Sequence, residues 1–172
     1  MTNYHSHITV TSIAIIPKGW KRTDIILEDS NKVQQDIMLT KHYCIGKAGV
    51  SSLQDITQDV VNMYNSLKAV RYKIEQDNEF SRNITNKEYF ECHIKMYEND
   101  LNLTGFKRSR NPNQIIGNRK VYFWNKRWYE GQLSDINEEI GMIKDKYSKH
   151  ILELKKEHVL IDSRHSLDSW WA

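Results

Sequence analysis

His5-Ser6-His7-Ile8-Thr9-Val10-Thr11, Val70-Arg71-Tyr72-Lys73-Ile74-Glu75 and Phe90-Glu91-Cys92-His93-Ile94-Lys95-Met96 are the stretches on which the reading of this chain turns. Each sets ionisable or hydroxyl side chains on alternate residues. In a β-strand successive side chains point to opposite faces. His5, His7, Thr9 and Thr11 therefore share one face, as do Arg71, Lys73 and Glu75, and as do Glu91, His93 and Lys95. The opposite faces carry Ile8, Val10, Val70, Tyr72, Ile74, Phe90, Ile94 and Met96. A solvated face tolerates such a mixture, and so does a charged cleft that handles an anion.

Outward from these stretches, the chain reads as alternating strands and helices. Residues 5–16 are expected as one strand, Pro17-Lys18-Gly19 as a turn, and Thr23–Leu27 as the returning strand of a hairpin. Glu28–Asn31 reads as a loop capping a short helix through Asp36. Residues 37–50 fit no single pattern. Ser51 with Gln54 fits a capping box, and Leu53, Ile56, Val60, Met63 and Leu67 recur at helical spacing, giving a helix to about Lys68. The Arg71 and Glu91 strands are expected to be antiparallel neighbours across the polar connection 77–87.

Residues 99–118 read as a long irregular loop, followed by a strand at Val121–Trp124. A second amphipathic helix is expected from Ser134 to Glu157, with Ile136, Ile140, Ile143, Tyr147, Ile151 and Leu154 along one stripe. Val159–Asp162 reads as a short final strand. No internal repeat is evident. The order β-β-α-β-β-β-α-β predicts one α+β domain over residues 1–172, with a mostly antiparallel sheet and two long amphipathic helices packed on one face.

Composition bounds the function classes. The chain has 172 residues, enough for a core without disulfides, and its two cysteines make no framework. A reducing, cytoplasmic setting is the expectation. Tyr4, His5 and His7 interrupt the place where a signal peptide's apolar run would lie. No apolar stretch approaches the roughly 20 residues that span a bilayer, so no membrane partner is expected. The net charge of +3 permits an anionic partner without demanding nucleic acid. Lys107, Arg108, Arg110, Arg119, Lys120, Lys126 and Arg127 crowd a region that also holds Tyr122, Phe123, Trp124, Trp128 and Tyr129. Such interleaving suits stacking on bases with cations on phosphates; it also suits a strand whose rings pack inward beneath solvated cations. Trp170 and Trp171 either dock on the domain or present an interaction surface.

His7-Ile8-Thr9 and His93-Ile94-Lys95 resemble the paired His-x-Thr/Ser motifs of the 2H phosphoesterase superfamily. The resemblance implies a pseudo-symmetric α+β fold in which His7 and His93 act as general acid and base. Thr9 would hold phosphate oxygens, and Lys95 stands at the place of the second hydroxyl residue, where an ammonium neutralises phosphate charge. No metal or other cofactor is needed on this reading. The residues support the same chemistry by themselves: imidazoles titrate near neutrality, and Arg71, Lys73, Lys95, Arg108 and Arg110 could clamp a phosphate while Glu75 and Glu91 orient a histidine or cation.

The leading expectation is thus a phosphodiesterase-like hydrolase or transferase for a nucleotide, a cyclic nucleotide or an RNA end. Three alternatives stand beside it. One is a nucleotide or anion binder without turnover. Another is an enzyme similar to the triphosphate tunnel enzymes, where Glu residues hold a divalent metal and Lys and Arg hold the triphosphate. The last is an interaction module using the C-terminal helix and Trp170-Trp171. A zinc site on His5, His7 and His93 is also chemically conceivable.

Overall fold

Strand is the dominant element of the chain, and the strands close on themselves. The computed structural model describes residues 2–29, 32–46, 52–77 and 82–165. Among these, nine strands and two helices follow in the order β1 (Thr2–Val10), β2 (Lys21–Asp29), β3 (Lys32–Ile45), α1 (Leu53–Leu67), β4 (Arg71–Asp77), β5 (Tyr89–Tyr97), β6 (Lys107–Arg110), β7 (Ile115–Ile116), β8 (Arg119–Trp128), α2 (Leu133–Lys146) and β9 (Ile151–Asp162). Eight of them form a closed antiparallel barrel, β1-β3-β2-β6-β8-β5-β9-β4 and back to β1, with the short β7 paired on β8.

This corrects the expected α+β fold with two long helices on one face of a sheet. The helices are short and pack on different sectors of a barrel. Several local expectations change with it. β1 stops at Val10 and pairs with β3, not β2, so the first two strands make no hairpin. The expected short helix through Asp36 and residues 37–45 of the segment after it form the 14-residue β3. Helix α2 ends at Lys146, capped by Tyr147, and residues 151–157, taken for its last turns, begin β9. Ile151 and Leu154 satisfy a helical stripe and a half-buried strand alike, and no glycine or proline marks the stop between them. The long loop at 99–118 contains β6 and β7.

Other readings agree with the structure. Helix α1 begins one residue later than expected, with the Ser52 hydroxyl accepting from the Asp55 amide. It ends where Lys68 adopts a left-handed conformation, φ 51°. Strands β2, β4, β5 and β8 all cover the stretches expected to be extended.

The barrel has its apolar residues outside and its polar residues inside. Ile8, Leu39 and Ile74 point outward from β1, β3 and β4 and are sealed beneath Ile56 and Val60 of α1. Phe90, Cys92, Ile94 and Met96 of β5, with Trp124 and Trp128 of β8, are sealed beneath Ile136 and Ile140 of α2. Each fully buried aliphatic or aromatic side chain contributes roughly 1.5–3 kcal/mol, so these two external cores carry the fold. The alternation then leaves the opposite face of each strand, with His5, His7, Lys73, Glu75, Glu91 and His93, to line the lumen.

The two halves of the chain repeat one another. Strand order β2-β3-β1-β4 in the first half matches β6-β8-β5-β9 in the second, and each half places its helix before its last strand. The halves join through β2–β6 and β4–β9. Strands alternate in direction around an antiparallel barrel, and an odd number of steps separates β1 from β5. They therefore run oppositely, and the twofold relating the halves lies perpendicular to the barrel axis. The registers agree: His5 and His7 pair with His42 and Thr40 on β3, as Glu91 and His93 pair with Arg127 and Asn125 on β8. Glu75 lies beside His5 as Glu157 lies beside Glu91. The repeat is invisible at the level of residue identity because few positions beyond the histidines and these two glutamates keep the same type.

Candidate functional site in the barrel lumen

The lumen is built from β1, β3, β4, β5, β8 and β9. His7 Nδ1 lies 2.9 Å from Thr40 Oγ1, and its Nε2 lies 3.3 Å from Glu75 Oε2. Its twofold counterpart, His93, lies 2.5 Å through Nδ1 from Asn125 Oδ1 and 3.4 Å through Nε2 from Glu157 Oε2. The Asn125 amide is fixed the other way round, its Nδ2 donating to Ser109 Oγ and the Lys107 carbonyl. Asn125 Oδ1 therefore accepts from Nδ1–H of His93, which leaves Nε2 to face the lumen carboxylates. Each imidazole is thus oriented by a neighbour on one strand and presented to a glutamate on the other.

Around the histidines, cations and carboxylates alternate. Lys73 Nζ stands 2.7 Å from Glu75 and 3.0 Å from Glu91. Arg127 Nε donates to Glu91 Oε1 at 2.8 Å. Arg71 pairs with Asp162, whose carboxylate also accepts from the Tyr89 hydroxyl. His5 Nε2 reaches Glu75 at 2.6 Å and Glu157 Oε1 at 3.7 Å. Glu157 and Asp162 are five residues apart, and a regular strand would turn them to opposite faces. A bulge at Leu160, where the partners of Ile74 and Glu75 are Ile161 and Val159, brings both inward.

Burial and charge set the protonation of the site. Burial opposes charge on every group, and the close partners overcome it. Glu75, fully buried, is held well below the usual carboxylate range by the charges of Lys73 and His7 and by its close contact with His5. Glu91 is held low likewise by Lys73, Arg127 and His93. Burial would discharge His5, yet its contacts with the Glu157 and Glu75 carboxylates raise its pKa to about 11. Glu157 and Glu91 raise His93 well above the ordinary imidazole value against the same penalty. Lys73 stays charged, burial being outweighed by Glu75 and Glu91. The lumen is a charged network, assembled at the centre of the fold.

Of the residues expected from sequence, the structure gathers His7, His93, Arg71, Lys73, Glu75 and Glu91 into this network. Arg71, Lys73 and Glu75 do not adjoin the Glu91 strand as expected, because β9 lies between β4 and β5; they meet Glu91 across the lumen. Thr9 and Lys95 share the lumen-facing alternation, but β1 and β5 run oppositely, so the two lie toward opposite ends. Thr9 pairs with Arg71, and Lys95 stands over the Phe123 ring. Arg108 and Arg110 face the other way from Ser109, onto the outside of the barrel, where Arg108 stacks 4.4 Å from the Tyr122 ring.

Basic residues of 107–129 stand over aromatic rings: Arg119 over Tyr97 at 3.9 Å and Lys126 over Trp128 at 5.0 Å. Trp124 and Trp128 are buried. That arrangement matches the inward-packing reading of the region rather than an open stacking platform. Asp168, Trp170 and Trp171 lie outside the described residues.

Sequence reasoning missed Thr40, Asn125, Arg127, Glu157 and Asp162 as members of the site. Thr40 lay in a segment without legible pattern, and Glu157 stood at the end of a supposed helix. The alternation Asn125-Lys126-Arg127 was the one available signal, since it continues the period of the three opening stretches.

The chemistry of the donors suits a divalent cation. His5, His7, Glu75 and Glu157 each offer a ligand atom within 4.8 Å of the others, and Glu91, His93 and Glu157 do the same. Imidazole nitrogen with carboxylate oxygen is a ligand set for zinc, manganese or iron. Among the described residues, no helix is long and apolar enough to cross a membrane. Compared with known protein families, with curated proteins and with solved structures, the chain matches none.

Proposed function

We propose that the barrel lumen is a metal-dependent phosphohydrolase site for a phosphate ester or anhydride on a nucleotide or RNA end. One observation carries the reading. His7 and His93 are held at Nδ1 by Thr40 and Asn125 and meet Glu75 and Glu157 at Nε2, amid Lys73, Arg71 and Arg127. A bound divalent ion would polarise a phosphoryl oxygen and lower the pKa of an attacking water. The chain's own part is to hold that ion on imidazole and carboxylate and to exclude bulk water. Lys73, Arg71 and Arg127 balance the charge of the phosphates, as electrostatic stabilisation of phosphoryl transfer requires. Glu75, Glu91 and Glu157 would repel a bare phosphate, so a cation between carboxylates and phosphate resolves the clash.

A second reading keeps His7 and His93 as a metal-free acid–base pair. It is favoured by exposure: the side chains of His7 and His93 are 13% and 24% accessible, against 0% and 1% for Glu75 and Glu91. An entering substrate meets the imidazoles first. Purified protein assayed against nucleoside triphosphates, cyclic nucleotides and 5′- and 3′-phosphorylated oligonucleotides, with Mn²⁺ or with EDTA, decides between them. Turnover that EDTA abolishes and Mn²⁺ restores is the expected result, with His7→Ala and His93→Ala each lowering it at least about 100-fold. Turnover that persists in EDTA selects the metal-free pair. Absence of turnover under both conditions overturns the enzyme reading.

A further inference from the structure

We infer that the lumen binds two divalent cations in two unequal half-sites bridged by Glu157, an inference that rests on the metal-dependent reading above. The internal twofold maps His5, His7 and Glu75 onto Glu91, His93 and Glu157. Each half of the chain thus supplies one three-residue set: two residues alternating on its first strand, and a glutamate on its last. In both sets the ligand atoms lie within 4.8 Å of one another. That is a little more than the diameter of about 4.0–4.4 Å that metal bonds of about 2.0–2.2 Å give a coordination sphere, so small side-chain shifts close each set on one ion.

The bridge is visible in the geometry of Glu157. Its Oε1 faces His5 at 3.7 Å and its Oε2 faces His93 at 3.4 Å, so its two oxygens address different half-sites. Glu75 is fully buried, and its oxygens meet Lys73, His5 and His7 as ionic contacts without an aligned hydrogen bond. A carboxylate so placed takes a cation readily. Lys73, between Glu75 and Glu91, holds positive charge where the two half-sites meet, and a second ion would take its place at Glu91 Oε2.

The half-sites differ in ligand softness. The first offers two imidazoles and a carboxylate, the second one imidazole and two carboxylates. Nitrogen-rich sets favour zinc and the later transition metals, and oxygen-rich sets favour manganese and magnesium. The first half-site therefore fills first with Zn²⁺, and the second accepts Mn²⁺ beside it.

The test is metal stoichiometry of the full chain. Protein stripped with EDTA is dialysed against Mn²⁺, and bound metal is counted by elemental analysis and examined by electron paramagnetic resonance. Two Mn²⁺ per chain with a spin-coupled spectrum are expected. The stoichiometry should fall to one, with an uncoupled signal, in His7→Ala and again in His93→Ala. A Zn²⁺ equivalent added first should displace one Mn²⁺ and abolish the coupling. One Mn²⁺ per chain in the unaltered protein, or two without coupling, overturns the bridged pair while leaving a single-metal enzyme standing. Binding of neither Mn²⁺ nor Zn²⁺ overturns both. The decisive count is made on the unaltered chain, so a variant that fails to fold does not blunt it.

Discussion

Replacing Lys73 by methionine probes the lumen network at its hub. The ammonium stands 2.7 Å from Glu75 and 3.0 Å from Glu91, and its side chain is 12% accessible. At an effective dielectric constant of about 20, each contact is worth about 6 kcal/mol before desolvation is counted. Desolvation cancels much of that for the intact pair. Removing one partner, however, leaves two buried carboxylates without their shared cation, and breaking such pairs costs about 3–5 kcal/mol. Urea unfolding of Lys73→Met in EDTA should show a loss of that size.

The double variant Lys73→Met/Glu75→Gln removes one charge of each sign. It should lose less than the sum of the two single changes, with a coupling of about 1 kcal/mol or more. If the carboxylates form a cation site, Mn²⁺ should stabilise Lys73→Met more than the unaltered chain, because the ion neutralises the charges that the ammonium left. At 100 times its dissociation constant the gain is about 2.7 kcal/mol. A loss under about 1 kcal/mol in the single variant, or a coupling near zero, refutes the network as described.

Three further expectations follow from other parts of the fold. Ser52→Ala should destabilise the protein by about 1 kcal/mol in urea, since the hydroxyl caps the Asp55 amide at the start of α1. Burial raises the Glu88 pKa, but Arg82, Thr85 and His158 outweigh it and lower the value to about 2. Its contribution to stability is then complete above the ordinary carboxylate pKa and is lost as pH falls toward 2. The difference in melting temperature between the unaltered chain and Glu88→Gln should accordingly be largest above pH 5 and shrink steadily below it. Burial pushes the Cys92 thiol up to about 12, and it lies in the core under α2. Iodoacetamide at pH 8 should leave Cys92 unmodified in the native protein and label it once urea unfolds the chain.

The period of two was legible, and it located most of the lumen. His5, His7, Lys73, Glu75, Glu91 and His93 stand on the faces that their alternation implied, and Cys92 lies on the apolar side with Phe90 and Ile94. What alternation could not give was closure. An open sheet with one solvated face and a barrel with a charged lumen produce the same pattern along each strand; only the pairing of β6 with β2 and of β9 with β4 distinguishes them, and no local signal fixes those contacts. The segment after Tyr147 failed for a related reason. Ile151 and Leu154 fit a helix until β5 claims them as strand neighbours, and long-range pairing then overrides local preference. The twofold was hidden because it conserves positions, not residue types: His5 matches Glu91, and Thr40 matches Asn125.

The inverted arrangement bears on why the lumen is charged. Eight-stranded barrels have an interior just wide enough for side chains to fill, and Leu or Val would fill it without desolvating a single ion. Buried ion pairs replaced by apolar residues of similar volume are often neutral or stabilising by about 1–4 kcal/mol. The two external cores under α1 and α2 already secure the fold, so stability does not require Lys73, Glu75, Glu91 and Arg127 inside. Geometry adds to the argument. A network serving only packing needs charge balance, whereas this one also fixes two imidazoles by Nδ1 and turns both Nε2 atoms onto glutamates at nearly the same distance, 3.3 and 3.4 Å, on opposite sides of a twofold. Orientation of that kind is what chemistry at Nε2 requires. Loss of metal uptake in His7→Gln/His93→Gln, with a stability change small beside the loss of about 3–5 kcal/mol expected for Lys73→Met, would separate the two demands directly.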